Sequence, residues 1–393
     1  MKKIFFIILY IIMAVFAQDT MWVKTFDHPS DSIFGYIPIN FFRIGEEYLL
    51  VNYFYGAEMG FYLIEANESG DTVWTKKYTS ESAGVFYSGI RSASKTIDNN
   101  FVCFSNIALF KFDENGDSIF MQTYEDLIEW GAVVTTTDDG NLIFGGKSPL
   151  LSCSIRIVKT DSLGNILLFK DFPAYEPPWG GCYWSIFIEP VNNNNEFLIL
   201  NGPLVYKCNN DLDTIWTRNY NYWFLGIADA IELADSNYLF VGGPAGIMKV
   251  SYSTGEVLGF EAFPPIEPDH SMTFSYITET LDNNYIVGAY CFHHGAYIDG
   301  ISYLVKIDSL WNQLWYQFIS DSTVNRVCVI KQIIQHPDSS YFAIGTATVP
   351  EDSFRVCLIK LRYHDTTDVV EEKTITPENL ETVSYTHLTL PTN

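Results

Sequence analysis

The chain lacks helical periodicity. No window sets apolar residues at three- and four-residue spacing behind a capping residue, so an all-β fold is expected. Basic charge is also scarce: 23 Lys and Arg face 47 Asp and Glu, a formal net charge of −24. A surface of that sign repels polyphosphates and anionic headgroups, which argues against nucleic acid and acidic membrane as partners; it favours solubility and attracts cations. None of the seven cysteines (Cys103, Cys153, Cys182, Cys208, Cys291, Cys328 and Cys357) forms a C-x-x-C pair, and most sit in apolar runs such as Val102-Cys103-Phe104. They read as buried free thiols acting as small hydrophobes rather than as a disulfide framework or metal site. G-x-S-x-G, H-E-x-x-H and P-loop motifs are absent, so no catalytic residue and no metal ligand is assigned. Beyond the N-terminus no apolar run is long enough for a membrane span.

The ends read as something other than folded domain. Lys2 and Lys3 precede an apolar run from Ile4 to Phe16, and Val15-Phe16-Ala17 supplies the small residues of a cleavage site. Residues 1–17 are therefore expected to be a signal peptide, and the first cysteine, Cys103, lies too far on for lipid attachment. Residues 362–382 form an acidic linker. Residues 383–393, beginning Val383-Ser384-Tyr385-Thr386-His387-Leu388, resemble a translated sequencing adapter and are set aside as an artefactual tail.

Between the ends, three columns recur about every 49 residues. An aromatic opens a short strand: Trp22, Trp74, Phe120, Phe169, Trp216, Phe260 and Trp315. A lysine stands some ten residues earlier (Lys111, Lys159, Lys207, Lys249, Lys306, with Lys360 at the end), replaced by Glu65 in the first unit. A small residue closes an apolar run: Asn52, Ser105, Gly145, Asn201, Gly242, Ala289 and Gly345. Each unit reads as four strands, with Asp/Asn/Gly turns such as Asp138-Asp139-Gly140-Asn141 that tolerate positive φ. Continuous apolar runs indicate sheets covered on both faces, and the small column marks where neighbouring sheets are expected to approach closely. The reading is a single seven-bladed β-propeller over residues 18–361. The first strand, 21–26, completes a last blade whose other strands are 327–334, 341–344 and 355–361, and Trp22 is set against Lys360. The lysines are expected to lay their stems over neighbouring aromatics, with Asp113, Asp161 and Asp308 as local partners of Lys111, Lys159 and Lys306.

Lys159-Thr160-Asp161-Ser162-Leu163-Gly164-Asn165 and Asp138-Asp139-Gly140-Asn141-Leu142-Ile143-Phe144-Gly145 resemble the degenerate propeller repeats of secreted proteins from Bacteroidetes-like bacteria. That resemblance implies export, and a C-terminal type IX secretion sorting domain lying beyond this chain. The repeats also resemble those of quinone-cofactor dehydrogenases, but the Gly-Lys-x-x-Trp docking motif is missing from every unit, so no cofactor is expected.

In such a propeller the short Asp/Asn/Gly turns share one face. The long loops, 54–60, 173–182, 263–272, 291–300 and 348–352, share the other, and variable loops are where repeat scaffolds bind. The candidate ligand-binding residues there are Tyr175, Glu176, Trp179, Trp184, Trp223, Glu267, Asp269, His270, His293 and Tyr297. Flat aromatics among acids suit sugar rings or extended peptide. The expectation is an exported monomer that binds a glycan or protein ligand without catalysis. The alternative is a hydrolase or lyase acting on polysaccharide through carboxylates of that face.

Overall fold

A computed structural model describes residues 20–26, 33–56, 59–79, 90–105, 107–177, 180–182, 186–191, 196–221, 226–265, 270–293, 301–319, 326–348 and 354–362. The signal-peptide, linker and tail expectations fall outside the described residues. All described regular structure is β: seven antiparallel four-stranded sheets. Six are consecutive meanders. The seventh takes its outer strand from the start of the chain, Thr20–Phe26, against Phe354–Leu361, and Trp22 stands opposite Lys360 as expected.

The first strands of the blades are Ile33–Ile44, Ile90–Lys95, Trp130–Thr136, Phe187–Val191, Gly226–Glu232, His270–Glu279 and Arg326–Gln335. Each touches the first strand of the next blade, and the last touches the first. They form the inner wall of a closed ring. Between neighbouring sheets lie seven apolar clusters, one per seam; the one joining the ends packs Phe26, Tyr48 and Phe54 on Phe342 and Leu358. Second and third strands are buried throughout, as in Phe101–Ser105 and Ala108–Phe112, while the outer strands alternate. This is why the middle strands read as unbroken apolar runs.

The small column lies in register except in blade 3, where Gly146 rather than Gly145 occupies it. Its cause also differs from the expected sheet-to-sheet approach. A Cβ on Gly146, Gly242 or Gly345 would stand 2.1, 2.2 or 2.4 Å from the carbonyl oxygen of Trp130, Gly226 or Val329 respectively, each in the first strand of the same blade. The first strands of blades 3, 5 and 7 carry β-bulges beside these carbonyls, at Gly131/Val133, Ile227/Asp229 and Ile330/Gln332. A bulge re-aims the backbone, and the facing residue gives way.

The aromatic column is in register at Trp74, Phe120, Trp216 and Trp315, which face Glu65, Lys111, Lys207 and Lys306. In blades 3 and 5 it is not. Lys159 faces Leu168 and Lys249 faces Gly259, with Phe169 and Phe260 one residue further along. The physical reason lies in the next blade. Each turn between third and fourth strands has one left-handed residue, and it sits on the outer-strand residue of the blade before. Gly70, Gly116 and Gly255 meet the rings of Trp22, Trp74 and Trp216, where a Cβ would approach within 2.7, 2.9 and 2.8 Å. Where the outer residue shrinks to Leu168, the turn residue grows to Leu212. Where it is Gly259, the turn supplies Trp311, at φ 69°, whose ring lies over that glycine. The seam is filled in all cases; what alternates is which strand brings the bulk.

The lysine column also finds other partners than expected. Lys111 pairs with Asp98 at 2.8 Å, Lys249 with Asp235 at 2.6 Å and Lys306 with Asp282 at 2.6 Å, each acid lying on the first turn of the same blade. Lys207 pairs with Glu196 at 2.8 Å and lies over the Tyr252 ring at 3.1 Å, and Lys360 lies over Phe342 at 4.9 Å. Several ammonium groups also donate to the following blade: Lys111 to Ser162 O, Lys159 to Asn210 O and Lys207 to Tyr252 O, at 3.4, 3.2 and 3.2 Å. Asp113, Asp161 and Asp308 are occupied elsewhere. Each accepts the backbone N–H four residues on, which closes its own turn. Lys111, Lys159 and Lys207 thus tie adjacent blades, and the ammonium-bearing side chains are deeply buried, with 3% exposure for Lys111 and 1% for Lys207.

Candidate functional site

Two regions offer chemistry: a loop on the long-loop face between blades 3 and 4, and the channel wall of blades 4 to 7. The first corrects the reading of the cysteines. Cys153, in the loop between the second and third strands of blade 3, forms a disulfide with Cys182 in the loop leading to blade 4; their Cα atoms are 5.7 Å apart. Neither stretch is apolar in a way that betrays the bond, and the 29-residue separation carries no motif. Cys103, Cys208, Cys291 and Cys357 are buried free thiols, as expected. Burial pushes the Cys103 thiol well up and the Cys208 thiol to about 12, so neither is a ready nucleophile.

The disulfide pins the loop that carries Tyr175 and Glu176. Tyr175 is half-buried, and its N–H donates to Asn201 Oδ1 at 2.5 Å, across to blade 4. Glu176 is exposed, and a carboxylate oxygen lies within 4.8 Å of both sulfurs. Oxidised sulfurs are not thiolate ligands, so this trio is no zinc site while the bond stands. The neighbouring loop of blade 3 exposes Leu150 and Leu151 at 76% and 49%, and the adjoining first strands expose Trp130 and Phe187 at 47% and 48%. Of the other sequence candidates, His270 and His293 are directly opposed residues of the first strand pair of blade 6. Trp179, Trp184, Trp223, Glu267, Asp269 and Tyr297 lie outside the described residues.

The channel wall was not singled out in the sequence. Asp229 Oδ2 accepts the N–H of Ile277 in blade 6 at 2.9 Å, and its Oδ1 accepts the N–H of Ala230 at 2.9 Å. Gln332 does the same job two seams further on, between blades 7 and 1, accepting from Phe41 N–H at 2.8 Å. These side chains satisfy inner-edge N–H groups that no fifth strand can reach. Desolvation raises the Asp229 carboxyl to about 7 despite those two bonds. It also raises Glu189, in blade 4, well above the ordinary range, and the charge of Asp229 adds to that. The phenol of Tyr276, in blade 6, is raised by burial and then by both carboxylates. Lys331, in blade 7, is lowered by desolvation although its side chain is exposed. Accessibility and desolvation coexist because a narrow lumen admits water while surrounding protein displaces the bulk. Beside Tyr276, at the short-turn end, a cavity of about 420 Å³ opens between the first strands of blades 6 and 7, lined by Glu279, Leu281, Ile334 and Gln335. Single acids in strand-like runs, such as Glu189 in Phe187–Val191, carry no signal that adjacent blades will bring them together.

The fold places the chain in the class of seven-bladed β-propellers. No family model matches the chain, and no curated protein matches it. Among solved structures it is similar to the Neurospora crassa Pan2 WD40 domain (10% identity, TM-score 0.56, covering 89% of this chain and 98% of that one). It is also similar to the β-propeller domain of Myceliophteria thermophila Cps50 (Swd1) (9%, 0.54, 86% and 99%) and to the WD40 β-propeller domain of Doa1 (10%, 0.51, 88% and 97%). At such identities the likeness extends to the fold alone. Among the described residues no helix is long and apolar enough to cross a membrane.

Proposed function

We propose that this chain is an exported propeller that binds a glycan or an extended peptide through its long-loop face, without catalysing a reaction on it. The observation that carries the proposal is the disulfide that pins the loop of Tyr175 and Glu176, on the same long-loop face of the ring as exposed Trp130, Leu150 and Leu151 of blade 3. A pre-ordered loop loses less entropy on binding than a free one, and aromatic faces beside a carboxylate match the faces and hydroxyls of a sugar ring. The same bond supports export, since disulfides persist in oxidising compartments. Trp179, Trp184, Trp223, Glu267, Asp269, His270, His293 and Tyr297 complete the proposed surface.

Binding of the purified chain to a glycan array and to an unstructured peptide library tests this. Tyr175→Ala and Glu176→Gln should each weaken the best ligand at least about tenfold with unchanged thermal stability. Equal affinity in both variants overturns the surface, and product release from the ligand overturns the non-catalytic assignment. The carboxyls of Glu189 and Asp229 favour a second reading, a polysaccharide hydrolase or lyase, because a carboxyl raised toward neutrality is suited to general-acid work. Asp229→Asn would then abolish product release while leaving array binding intact.

A further inference from the structure

The bond between Cys153 and Cys182 joins two stretches that other contacts also hold. Ala174 N–H donates to Cys153 O at 3.1 Å, and Ser148 N–H donates to Ser154 O at 2.9 Å, which closes the neck of the loop carrying Cys153. Tyr175 N–H is tied to Asn201 Oδ1 in blade 4. Both cysteines pack against the apolar cluster between blades 3 and 4, to which Ile186 belongs. Cys182 Sγ lies 3.7 Å from Ser152 O, and Cys153 Sγ lies 3.9 Å from Ala174 O. Opening the disulfide therefore loosens the segment from 176 to 182 but leaves Cys153 in place and both ends of that segment, at Tyr175 and Ile186, anchored.

Glu176 is the third member of the group. One of its carboxylate oxygens and the two sulfurs all lie within 4.8 Å of one another. A tetrahedral zinc ion, about 2.3 Å from sulfur and about 2.1 Å from oxygen, sets its ligand atoms about 3.5–3.8 Å apart. The trio reaches that spacing by side-chain rotation once the sulfurs are no longer joined. We propose that the reduced chain binds a zinc-type cation through Cys153, Cys182 and Glu176, so that the disulfide and the metal are alternative states of one site on the long-loop face. Two thiolates with one carboxylate select zinc or cadmium over calcium and magnesium, which take oxygen ligands. Three protein ligands leave a fourth position to water. Both cysteines are only half-buried, so an external dithiol has access to them. The dithiol gives two electrons and two protons to the disulfide and closes to its own disulfide. The cation then displaces the two thiol protons as two metal–sulfur bonds form. Cys103, Cys208, Cys291 and Cys357 are buried away from such chemistry.

Metal titration of the full chain tests the site with no glycan or peptide present, so its outcome is separate from that of the ligand-surface reading. The chain is reduced with a dithiol, desalted without oxygen and titrated with cadmium chloride, whose thiolate complexes absorb in the ultraviolet by sulfur-to-metal charge transfer. The reduced parent should bind one equivalent with that absorption, and zinc chloride should displace it. The oxidised parent should show none. Cys182→Ser, in reduced form, should lower cadmium affinity at least about tenfold. Glu176→Gln should lower it by a similar factor while keeping the thiolate absorption at saturation; Glu176 is exposed, so this variant covers the case in which the cysteine variant does not fold. A reduced parent that binds no more cadmium than the oxidised one, or a reduced Cys182→Ser or Glu176→Gln that binds it as tightly as the parent, overturns the proposal.

Discussion

At the residue scale, Gly259 and Trp311 show how a degenerate repeat stays packed. Trp311 holds a left-handed backbone that side chains rarely adopt, and the seam compensates for that strain by taking its ring into the space above Gly259. Trp311→Gly should destabilise the chain by about 1–3 kcal/mol, the lost ring contact offset in part by relieved strain. Gly259→Trp alone should overpack the seam by a similar amount. The double variant recreates the arrangement of Trp216 and Gly255, so urea unfolding of the four proteins should give a coupling energy of at least about 1 kcal/mol. Additive losses would show that the two positions do not share one space.

Titration at this scale has two opposed windows. Asp282, held by the Lys306 ammonium against the cost of its burial, is lowered to about 2, and Asp98, Asp139 and Asp338 are lowered with it. Their stabilisation is complete above the unfolded carboxyl value of about 4 and is lost as pH falls toward 2. Asp229 and Glu65 are raised by burial to about 7. Their protonated forms suit the fold, so the stability they contribute is present below about pH 4 and lost as pH rises through 7. Denaturant midpoints measured in metal-free buffer should therefore peak near about pH 4–5. Asp229→Asn should flatten the decline toward neutrality while keeping an acceptor for Ile277 N–H; a decline of unchanged slope would remove Asp229 from this role.

At the scale of elements, the disulfide is the feature most open to test. Closing a loop with a sequence separation of 29 restricts the unfolded chain by about 3–4 kcal/mol on the loop-entropy relation. Cys153→Ser with Cys182→Ser should lower the denaturation midpoint accordingly and expose the 174–182 loop to limited proteolysis, while mass spectrometry of the parent should find one linked peptide pair. Repeat elements were legible because second and third strands are buried on both faces, so unbroken apolar runs such as Phe101–Ser105 mark them directly. The outer strands were less so. A one-residue register shift moved Phe169 and Phe260 off their column, because the small residues Leu168 and Gly259 are explained only by Leu212 and Trp311 in the following blade. The candidate loop residues were legible as a composition of aromatics and acids, but nothing local announced that Cys182 would reach Cys153 or that Glu189 would face Asp229.

At the scale of the whole molecule, closure of the ring is the main determinant of integrity. Val23 and Phe26, buried at 4% and 7% exposure, belong to the short strand that completes blade 7. Deleting residues 20–26 uncovers the edge of Phe354–Leu361 and part of the seam to blade 1, which invites strand pairing between chains. Size-exclusion chromatography should show the parent as a monomer and the deletion as higher oligomers or aggregate, and Val23→Asp should unfold at lower denaturant by about 3–5 kcal/mol. A deletion variant with parental elution and midpoint would mean that closure contributes little.

The amino-acid order alone determined the number of blades, the four-stranded unit, the turn chemistry and the pairing of the first strand with the last, because each follows from short-range periodicity repeated at one interval. The partners across seams were decided only in three dimensions: Asp98 rather than Asp113 for Lys111, Trp311 for Gly259, Cys182 for Cys153, and Asp229 beside Glu189. Those contacts join residues tens of positions apart whose identities are constrained jointly, by the volume and charge of a shared space, and no single stretch of chain records that sum.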